Sequence, residues 1–253
     1  MTPEPPHASR TAAIADALRT AIADAWALVA PIDCAGCGAS DRPLCAVCAA
    51  ALRASPRRAH LDVDGVALPV VAGLAYAGVA RSTLLALKAE GRTELARPLA
   101  VPLRAALALA WPTAGGAVLV PVPGSLAGAA QRGFAPAELM ARRAGLRTVR
   151  GLRSVDAGPQ QKGRGLAERL AGGHPRFVAR PGVSGARVVL VDDVVTSGAT
   201  LRDAARALRA AGAQVLGAAA VAATPRRAGA SSIHWRFCAD HDEGPGDNDG
   251  AEG

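Results

Sequence analysis

Short apolar runs alternate along the chain with longer segments of helical periodicity. The runs are rich in small and β-branched residues, as buried strands are, and cover residues 66–78, 117–124, 188–191 and 213–224. The first could supply paired strands. Segments with apolar positions at helical spacing lie between the runs, at residues 79–111 with an interruption at Gly91, 131–145 and 201–212. This order predicts an α/β fold with a central parallel sheet flanked by helices.

The flanks of this region have a different character. Residues 11–29 place apolar side chains at helical spacing with acids and arginines between them, which indicates an amphipathic helix and excludes a signal peptide or a membrane span. Residues 55–65 are predicted to be a linker, and the acidic, glycine-rich end is predicted to be disordered. The predicted division is a tail and helix at 1–30, a cysteine module at 31–54, a main domain at 55–226 and a C-terminal segment at 227–253. A cytoplasmic protein is the expectation, with reduced thiols.

Composition limits how the core is built and what the charge means. Hydrophobic residues make up 50% of the chain but aromatics only 3%, so the core must consist of alanine, valine and leucine. The net charge is +8 and the isoelectric point about 10.2, which invites a nucleic-acid interpretation. The arginines are scattered, however, and few aromatics are available to stack on bases. The charge is therefore a weak signal.

The run VVLVDDVVTSGAT, residues 188–200, carries the most chemical information. It predicts a buried strand that delivers Asp192 and Asp193 to the carboxyl edge of the sheet, where open α/β folds bind ligands. The next residues offer hydroxyls and backbone N–H groups at the start of a helix, which suits a phosphate; they are Thr196, Ser197, Gly198, Ala199 and Thr200. Carboxylates can accept hydrogen bonds from ribose hydroxyls. The run therefore indicates a sugar-phosphate site.

Two other interpretations of this run are weighed. The first is an ordinary buried strand with a polar turn. The second is a nucleotide-binding Walker B strand, which requires an upstream GxxxxGK[ST] loop; neither of the two lysines, Lys88 and Lys162, stands in such a segment.

Four of the five cysteines form two CxxC pairs, Cys34 with Cys37 and Cys45 with Cys48. Two such pairs let four thiolates surround one tetrahedral ion, and this predicts a closed, structural Zn²⁺ site. Two disulfides are the alternative. The fifth, Cys238, is expected to be a partly buried small hydrophobic residue.

The run at 188–200 resembles the phosphoribosyl pyrophosphate (PRPP) loop of type I phosphoribosyltransferases. The pattern of that loop is four apolar residues, two acids, two apolar residues and then T[ST]Gx[ST]. Further motifs, in their order along the chain, resemble those of the ComF (competence protein F) family. They are the cysteine module after a helix, LKAEGR, VPVP followed by QRGF, and a QxxxxxxxR element. The likeness covers about residues 26–224. It implies a phosphoribosyltransferase-like fold, with PRPP and Mg²⁺ as ligands, and a link to competence and DNA uptake.

The resemblance also implies roles for individual residues. Asp192 and Asp193 would bind the ribose and Thr196–Thr200 the 5-phosphate. The pyrophosphate loop would comprise Pro121, Val122 and Pro123, supported by Arg132. A mobile loop would carry Gln161, Lys162 and Arg169, while Lys88 matches the family's lysine before glycine.

Two positions depart from the family pattern, because Ala135 and Gly172 stand where the family commonly has asparagine. These departures weaken the expectation of catalysis more than that of ligand binding. The expected reaction is transfer of phosphoribosyl from PRPP to a nitrogen nucleophile, and no catalytic acid or base is assigned. The rival hypothesis is a non-enzymatic sensor or an adaptor that binds single-stranded DNA or a competence helicase.

Overall fold

A computed structural model describes residues 32–111, 116–155, 176–224 and 236–237. Its strands are β1 (Arg57–Val63), β2 (Val66–Ala75), β3 (Ala117–Pro121), β4 (Leu152–Ser154), β5 (Phe177–Ala179), β6 (Arg187–Val195), β7 (Gln214–Ala223) and β8 (Arg236–Phe237). Its helices are α1 (Ala46–Ala51), α2 (Gly78–Ala89), α3 (Ala96–Ala110), α4 (Leu126–Arg132), α5 (Pro136–Arg143) and α6 (Ala199–Ala210). A 3-10 turn at Thr93–Leu95 joins α2 to α3.

One main sheet organises the fold, with the strand order β3-β6-β7-β2-β1-β8. The four strands β3, β6, β7 and β2 run parallel, whereas β1 is antiparallel to β2 and β8 is antiparallel to β1. The carboxyl ends of the parallel strands therefore share one edge of the sheet. The predicted α/β class, with a mostly parallel sheet between helices, is confirmed.

The sheet is covered on both faces, which explains why its inner strands are almost wholly apolar. Helices α2, α3 and α5 pack on one face, with Leu84, Leu99 and Met140 in that layer. Helix α6 and the small antiparallel pair β4–β5 pack on the other face, with Leu201, Leu208 and Phe177 in contact with the core. Consecutive residues of β6 divide between the two layers, since Val188 and Leu190 join one and Val189 and Val191 the other.

The predicted linker at 55–65 is wrong, because most of it forms strand β1. Ala59, Leu61 and Val63 point into the core while the residues between them are exposed. This alternation is the period-2 pattern of a strand with one face solvated. Residues 66–78 accordingly do not supply two strands; 66–75 form the single strand β2. A tight turn at Asp64 and Gly65, both with positive φ (57° and 81°), joins it to β1.

Small residues let the layers approach closely, as the alanine-rich composition requires. Gly73 of β2 faces the carbonyl oxygen of Pro102 within α3, and a Cβ at this glycine would collide with that backbone. Gly217 of β7 similarly accommodates the ring of Trp111. The core thus depends on short backbone-to-backbone distances as well as on side-chain volume.

Within the described residues, none of the helices combines the length and apolarity that crossing a membrane requires. The predicted helix at 11–29 and the acidic tail from Asp240 lie outside the described residues.

We expect Gly73→Ala to destabilise the fold by about 1–3 kcal/mol, because the added methyl group must push α3 away from the sheet. Urea unfolding followed by circular dichroism measures the change. Ala67→Val, which adds volume at an exposed position of the same strand, is the control and should change the unfolding free energy by no more than about 0.5 kcal/mol. Equal effects of the two substitutions would contradict the close-approach account.

Candidate ribose-phosphate site and four-cysteine centre

The sequence 192–200 lies at the carboxyl edge of the sheet. Strand β6 continues through Asp192 and Asp193 to Val195, and α6 begins at Ala199. Between them Gly198 adopts a left-handed conformation (φ 75°), which turns the chain sharply into the helix. The free N–H groups at the start of α6 therefore face the same edge as the two acids.

Backbone hydrogen bonds hold the strand ends at this edge together. Thr224 N donates to Val195 O over 2.9 Å, and Tyr76 N donates to Ala223 O over 2.6 Å. On the other side of β6, Val122 N donates to Val191 O over 2.8 Å. The loops that leave β3, β6, β7 and β2 thus begin from a rigid base.

The two acids have different surroundings because consecutive strand residues point to opposite faces. Asp192 is buried, with 9% of its surface exposed, and its Oδ1 accepts a hydrogen bond from Asp193 N over 2.8 Å. Asp193 is more open, and its Oδ1 lies 2.8 Å from Lys88 Nζ of helix α2. The side chains of Lys88 and Asp193 are 30% and 17% exposed, so this ion pair stays accessible to a ligand.

Burial raises the pKa of Asp192 well above its usual range, and the neighbouring Asp193 carboxylate raises it further. The Asp193 N–H and the Lys88 ammonium act in the opposite direction without cancelling the effect. Burying a carboxyl group in this way lowers the stability of the fold, and such groups are characteristic of binding and catalytic sites.

The residues predicted for the pyrophosphate loop follow β3 at the same edge. Pro121 ends the strand, and Val122 and Pro123 lead into Gly124, whose carbonyl accepts a 2.6 Å hydrogen bond from Ser154 Oγ. Arg132 ends α4 and folds back on this turn. A Cβ atom built on Gly124 would lie 3.4 Å from a terminal nitrogen of the Arg132 guanidinium. A Cβ atom built on Gly128 would lie 2.8 Å from the same nitrogen.

The Nε atom of Arg132 is buried without a hydrogen-bond partner among the described residues. An unpaired buried donor on a cation is costly, and an anion seated in the adjoining turn would satisfy it.

Sequence reasoning missed one cation near the phosphate turn. Arg176 packs its guanidinium 5.9 Å from the centroid of the Phe177 ring, lies 3.5 Å from Thr200 Oγ1, and reaches Asp203 at 4.0 Å. No motif marked this arginine; only its place in the polar segment 152–180, which suggests a mobile loop, could have drawn attention to it. The loop candidates Gln161, Lys162 and Arg169, together with Gly172, lie outside the described residues, as does Cys238.

The departure at Ala135 has a local structural meaning. Ala135 is the N-cap of α5, in an extended conformation, and it provides no side-chain hydrogen bond to the helix. Asparagine is among the best N-cap residues, so the family's amide at this position would satisfy a free N–H group of the helix.

The four cysteines of the N-terminal module come together as predicted. The sulfur atoms of Cys34, Cys37, Cys45 and Cys48 all lie within 4.8 Å of one another, and none of these residues forms a disulfide. The Cys37 and Cys45 sulfurs are 3.7 Å apart, close to the edge of about 3.8 Å of a tetrahedron with Zn–S bonds of about 2.3 Å.

The backbone of the module also favours thiolates. Burial opposes ionisation of Cys34, yet N–H groups of Cys45, Cys37 and Gly36 lower the pKa of its thiol to about 6. Burial raises the pKa of Cys48 to about 12, and hydrogen bonding and charge from the other three sulfurs raise it too. A divalent cation would remove this conflict by stabilising four thiolates together. The donor set and its geometry therefore fit Zn²⁺.

A parallel sheet whose carboxyl edge bears two adjacent acids and a tight turn into a helix has the architecture of the phosphoribosyltransferase fold. The chain belongs to the phosphoribosyl transferase domain family, whose sequence profile matches residues 123–249, about half of the chain. This match begins at Pro123, in the turn after β3, and includes the whole run from Asp192 to Thr200.

Individual proteins are similar over shorter regions. An orotate phosphoribosyltransferase from Nocardioides sp. is 63% identical over 35 residues, which are 14% of this chain and 20% of the relative. A solved structure titled as the allosteric regulatory enzyme of purine biosynthesis is 27% identical with a TM-score of 0.34, and the match covers 50% of this chain and 25% of that one. The chain therefore spans only a quarter or less of the length of these proteins.

We expect Asp192→Asn to stabilise the ligand-free protein at neutral pH. Because the folded pKa is raised, the folded state binds the proton more tightly, and stability falls as pH rises from the unfolded pKa of about 4 through the folded pKa. The amide removes this loss and can still accept from Asp193 N. Chemical denaturation between pH 4 and about pH 8 gives the unfolding free energy of both proteins. A difference in unfolding free energy that does not widen as pH rises would contradict the raised pKa of Asp192.

We expect Ala135→Asn to stabilise the protein by about 1 kcal/mol, because the amide caps α5. Thermal unfolding gives the change, and Ala130→Asn, an exposed position inside α4, is the matched control, which should be neutral or mildly destabilising. A gain at Ala130 equal to that at Ala135 would show that capping is not the cause.

Proposed function

We propose that this protein binds PRPP, or a closely related ribose phosphate, at the carboxyl edge of its sheet. One observation carries the proposal. Two adjacent carboxylates lie near the end of a buried parallel strand; a left-handed glycine follows five residues after Asp193, and a helix starts directly after that glycine. This arrangement puts acceptors for sugar hydroxyls beside donors for a phosphate.

The ribose would be held by Asp193 and Asp192. Asp193 is open enough to receive a pair of hydroxyls, and Lys88 keeps it oriented by a 2.8 Å ion pair. Asp192 is buried behind it, and one of its oxygens is already engaged by a backbone N–H. Its remaining lone pairs are the ones available to a sugar hydroxyl.

The 5-phosphate would sit on the turn from Thr196 to Thr200. The backbone N–H groups of the turn and the N-terminus of α6 both favour an anion there. The pyrophosphate would lie at the turn after β3, formed by Pro121, Val122 and Pro123, where Arg132 has an unpaired buried Nε. Gln161, Lys162 and Arg169 are proposed to close over the ligand, and Mg²⁺ would enter as the PRPP complex.

The reaction proposed for this site is transfer of the phosphoribosyl group to a nitrogen nucleophile. The bond between C1 and the pyrophosphate oxygen breaks, a C1–N bond forms, and the nitrogen's proton leaves to solvent while pyrophosphate carries away the electron pair. The proposed role of the protein is to orient the sugar and to stabilise the leaving group with cations. Each described glutamate pairs with an arginine, Glu90 and Glu94 with Arg92 and Glu138 with Arg150, so no acid or base is assigned.

Within the superfamily we place the chain in the ComF branch, with a role in competence or DNA uptake. The order of motifs supports this proposal, as does the 2.8 Å ion pair between Asp193 and Lys88, the lysine of LKAEGR. The lack of an amide at Ala135 favours a second candidate, a PRPP-dependent sensor or an adaptor for a competence helicase and single-stranded DNA.

We expect the protein to bind PRPP with Mg²⁺ in calorimetry, and the Asp192→Asn, Asp193→Asn double variant to bind roughly ten- to a hundredfold more weakly, because charged acceptors for two hydroxyls are lost. Asp64→Asn is the matched control: it removes an acid that pairs with Arg206 at the opposite edge of the sheet and should leave the affinity unchanged.

Transfer is tested by incubating the protein, PRPP and Mg²⁺ with purines, pyrimidines and nicotinate-like acceptors and measuring pyrophosphate. Release with one acceptor supports an enzyme. Tight binding without release supports the sensor or adaptor. Equal affinity of the double variant and the native protein would contradict the proposed site, and salt-sensitive binding to single-stranded DNA that ignores the substitutions would favour the adaptor alone.

A further inference from the structure

The helix that carries Lys88 is held at both ends by the four-cysteine module. At its start, a Cβ on Gly36 of the first CxxC turn would lie 3.1 Å from Val79 Cγ1 and 2.5 Å from Cys48 Sγ. The metal-binding turn therefore rests directly on the first residues of α2. Ala35 and Leu44 of the module also pack against the core layer that contains this helix.

Arg92 provides the attachment just beyond the other end of α2. Its guanidinium donates to Pro43 O of the module over 3.2 Å, and its backbone N–H donates to Ala86 O over 3.3 Å. The same Pro43 carbonyl accepts a 3.0 Å bond from Ala35 N, next to Cys34. The side chain of Arg92 is only 18% exposed, whereas Pro43 lies at the surface.

Lys88 lies between these two attachments, four residues before Arg92. Its ammonium reaches from α2 to Asp193, which lies near the end of β6 at the proposed ribose site. The connection thus runs from the cysteine module through Pro43 and Arg92 to helix α2, and this helix carries Lys88 to the ribose acid. Since the module has little apolar core of its own, its shape depends on the ion that four thiolates would share.

We infer that Lys88 is a positioning residue of the sugar-phosphate site and that the four-cysteine module fixes it there, so that metal binding and PRPP binding are thermodynamically linked. The inference rests on the proposed function. Linkage requires that each ligand strengthen the binding of the other by the same factor. A module that merely stabilised the fold would show no such dependence on one lysine.

The test compares zinc-loaded and chelator-stripped protein, native and Lys88→Met, in calorimetry with PRPP and Mg²⁺. Removal of zinc should weaken PRPP binding to the native protein roughly fivefold or more. It should have little further effect on Lys88→Met, which already lacks the connection. In the reciprocal measurement, competition with a colorimetric chelator at equilibrium should show that PRPP strengthens zinc binding by the same factor in the native protein but not in Lys88→Met.

A second pair of variants keeps the test valid if the stripped protein unfolds. Arg92→Gln breaks the bridge to Pro43 without touching a thiolate, and it should retain zinc while losing PRPP affinity. Arg81→Gln, on the exposed side of the same helix, is the control and should bind as the native protein does.

Several outcomes would overturn the inference. Purified protein that contains no zinc is one of them. A second is that zinc removal changes the PRPP affinity of the native protein and of Lys88→Met equally. A third is that Arg92→Gln binds PRPP as tightly as the native protein does. These results leave the proposed site intact, whereas loaded native protein that does not bind PRPP would contradict the proposed function itself.

Discussion

Two carboxylates on consecutive residues of a buried strand are the constraint to which this end of the molecule is adapted. The Asp192 side chain is almost completely shielded from solvent, and its carboxyl accepts one hydrogen bond from a backbone N–H group. Asp193 pairs with the ammonium of Lys88 from helix α2. The arrangement leaves negative charge beside the helix start of α6 and the turn after β3, both of which offer donors. The acids and the donors together make the edge suitable for a ligand with hydroxyls and phosphates.

The rest of the fold supports this edge. Parallel pairing of β3, β6, β7 and β2 brings four loops to one place, and the bonds of Val122, Thr224 and Tyr76 fix where these loops begin. Helix α6 is anchored at the far end, where Arg206 pairs with Asp64 and Arg209 donates to Val63 O. The helix whose start would receive a phosphate is therefore fixed at its other end.

Sequence reasoning recovered the parts of this structure that depend on local pattern. Continuous apolar runs indicated buried parallel strands, and both the acids and the glycine turn fell where the pattern put them. The CxxC spacing was sufficient to predict the cysteine cluster, because two close pairs constrain one another. Strand β1 was wrongly predicted as a linker, although its alternation of buried and exposed positions is visible in the sequence.

Contacts between distant segments could not be derived from local pattern. Lys88 and Asp193 are separated by more than a hundred residues, and only the resemblance of LKAEGR to a family motif marked the lysine. Arg176 had no mark at all, and its place beside Thr200 follows from the pairing of β5 with β4 and the packing of both on α6. The hydrogen bond from Arg92 to Pro43 likewise depends on how the cysteine module docks on α2.

The central claim is that neighbouring acids and the turn beyond them hold one phosphorylated pentose. A crystal structure of the protein with ribose 5-phosphate tests it most directly. The account predicts sugar hydroxyls within hydrogen-bonding distance of the Asp193 and Asp192 carboxylates and the phosphate on the backbone N–H groups of residues 196–200. A ribose phosphate bound away from this edge, with the ion pair of Lys88 and Asp193 sealed from solvent, would contradict it.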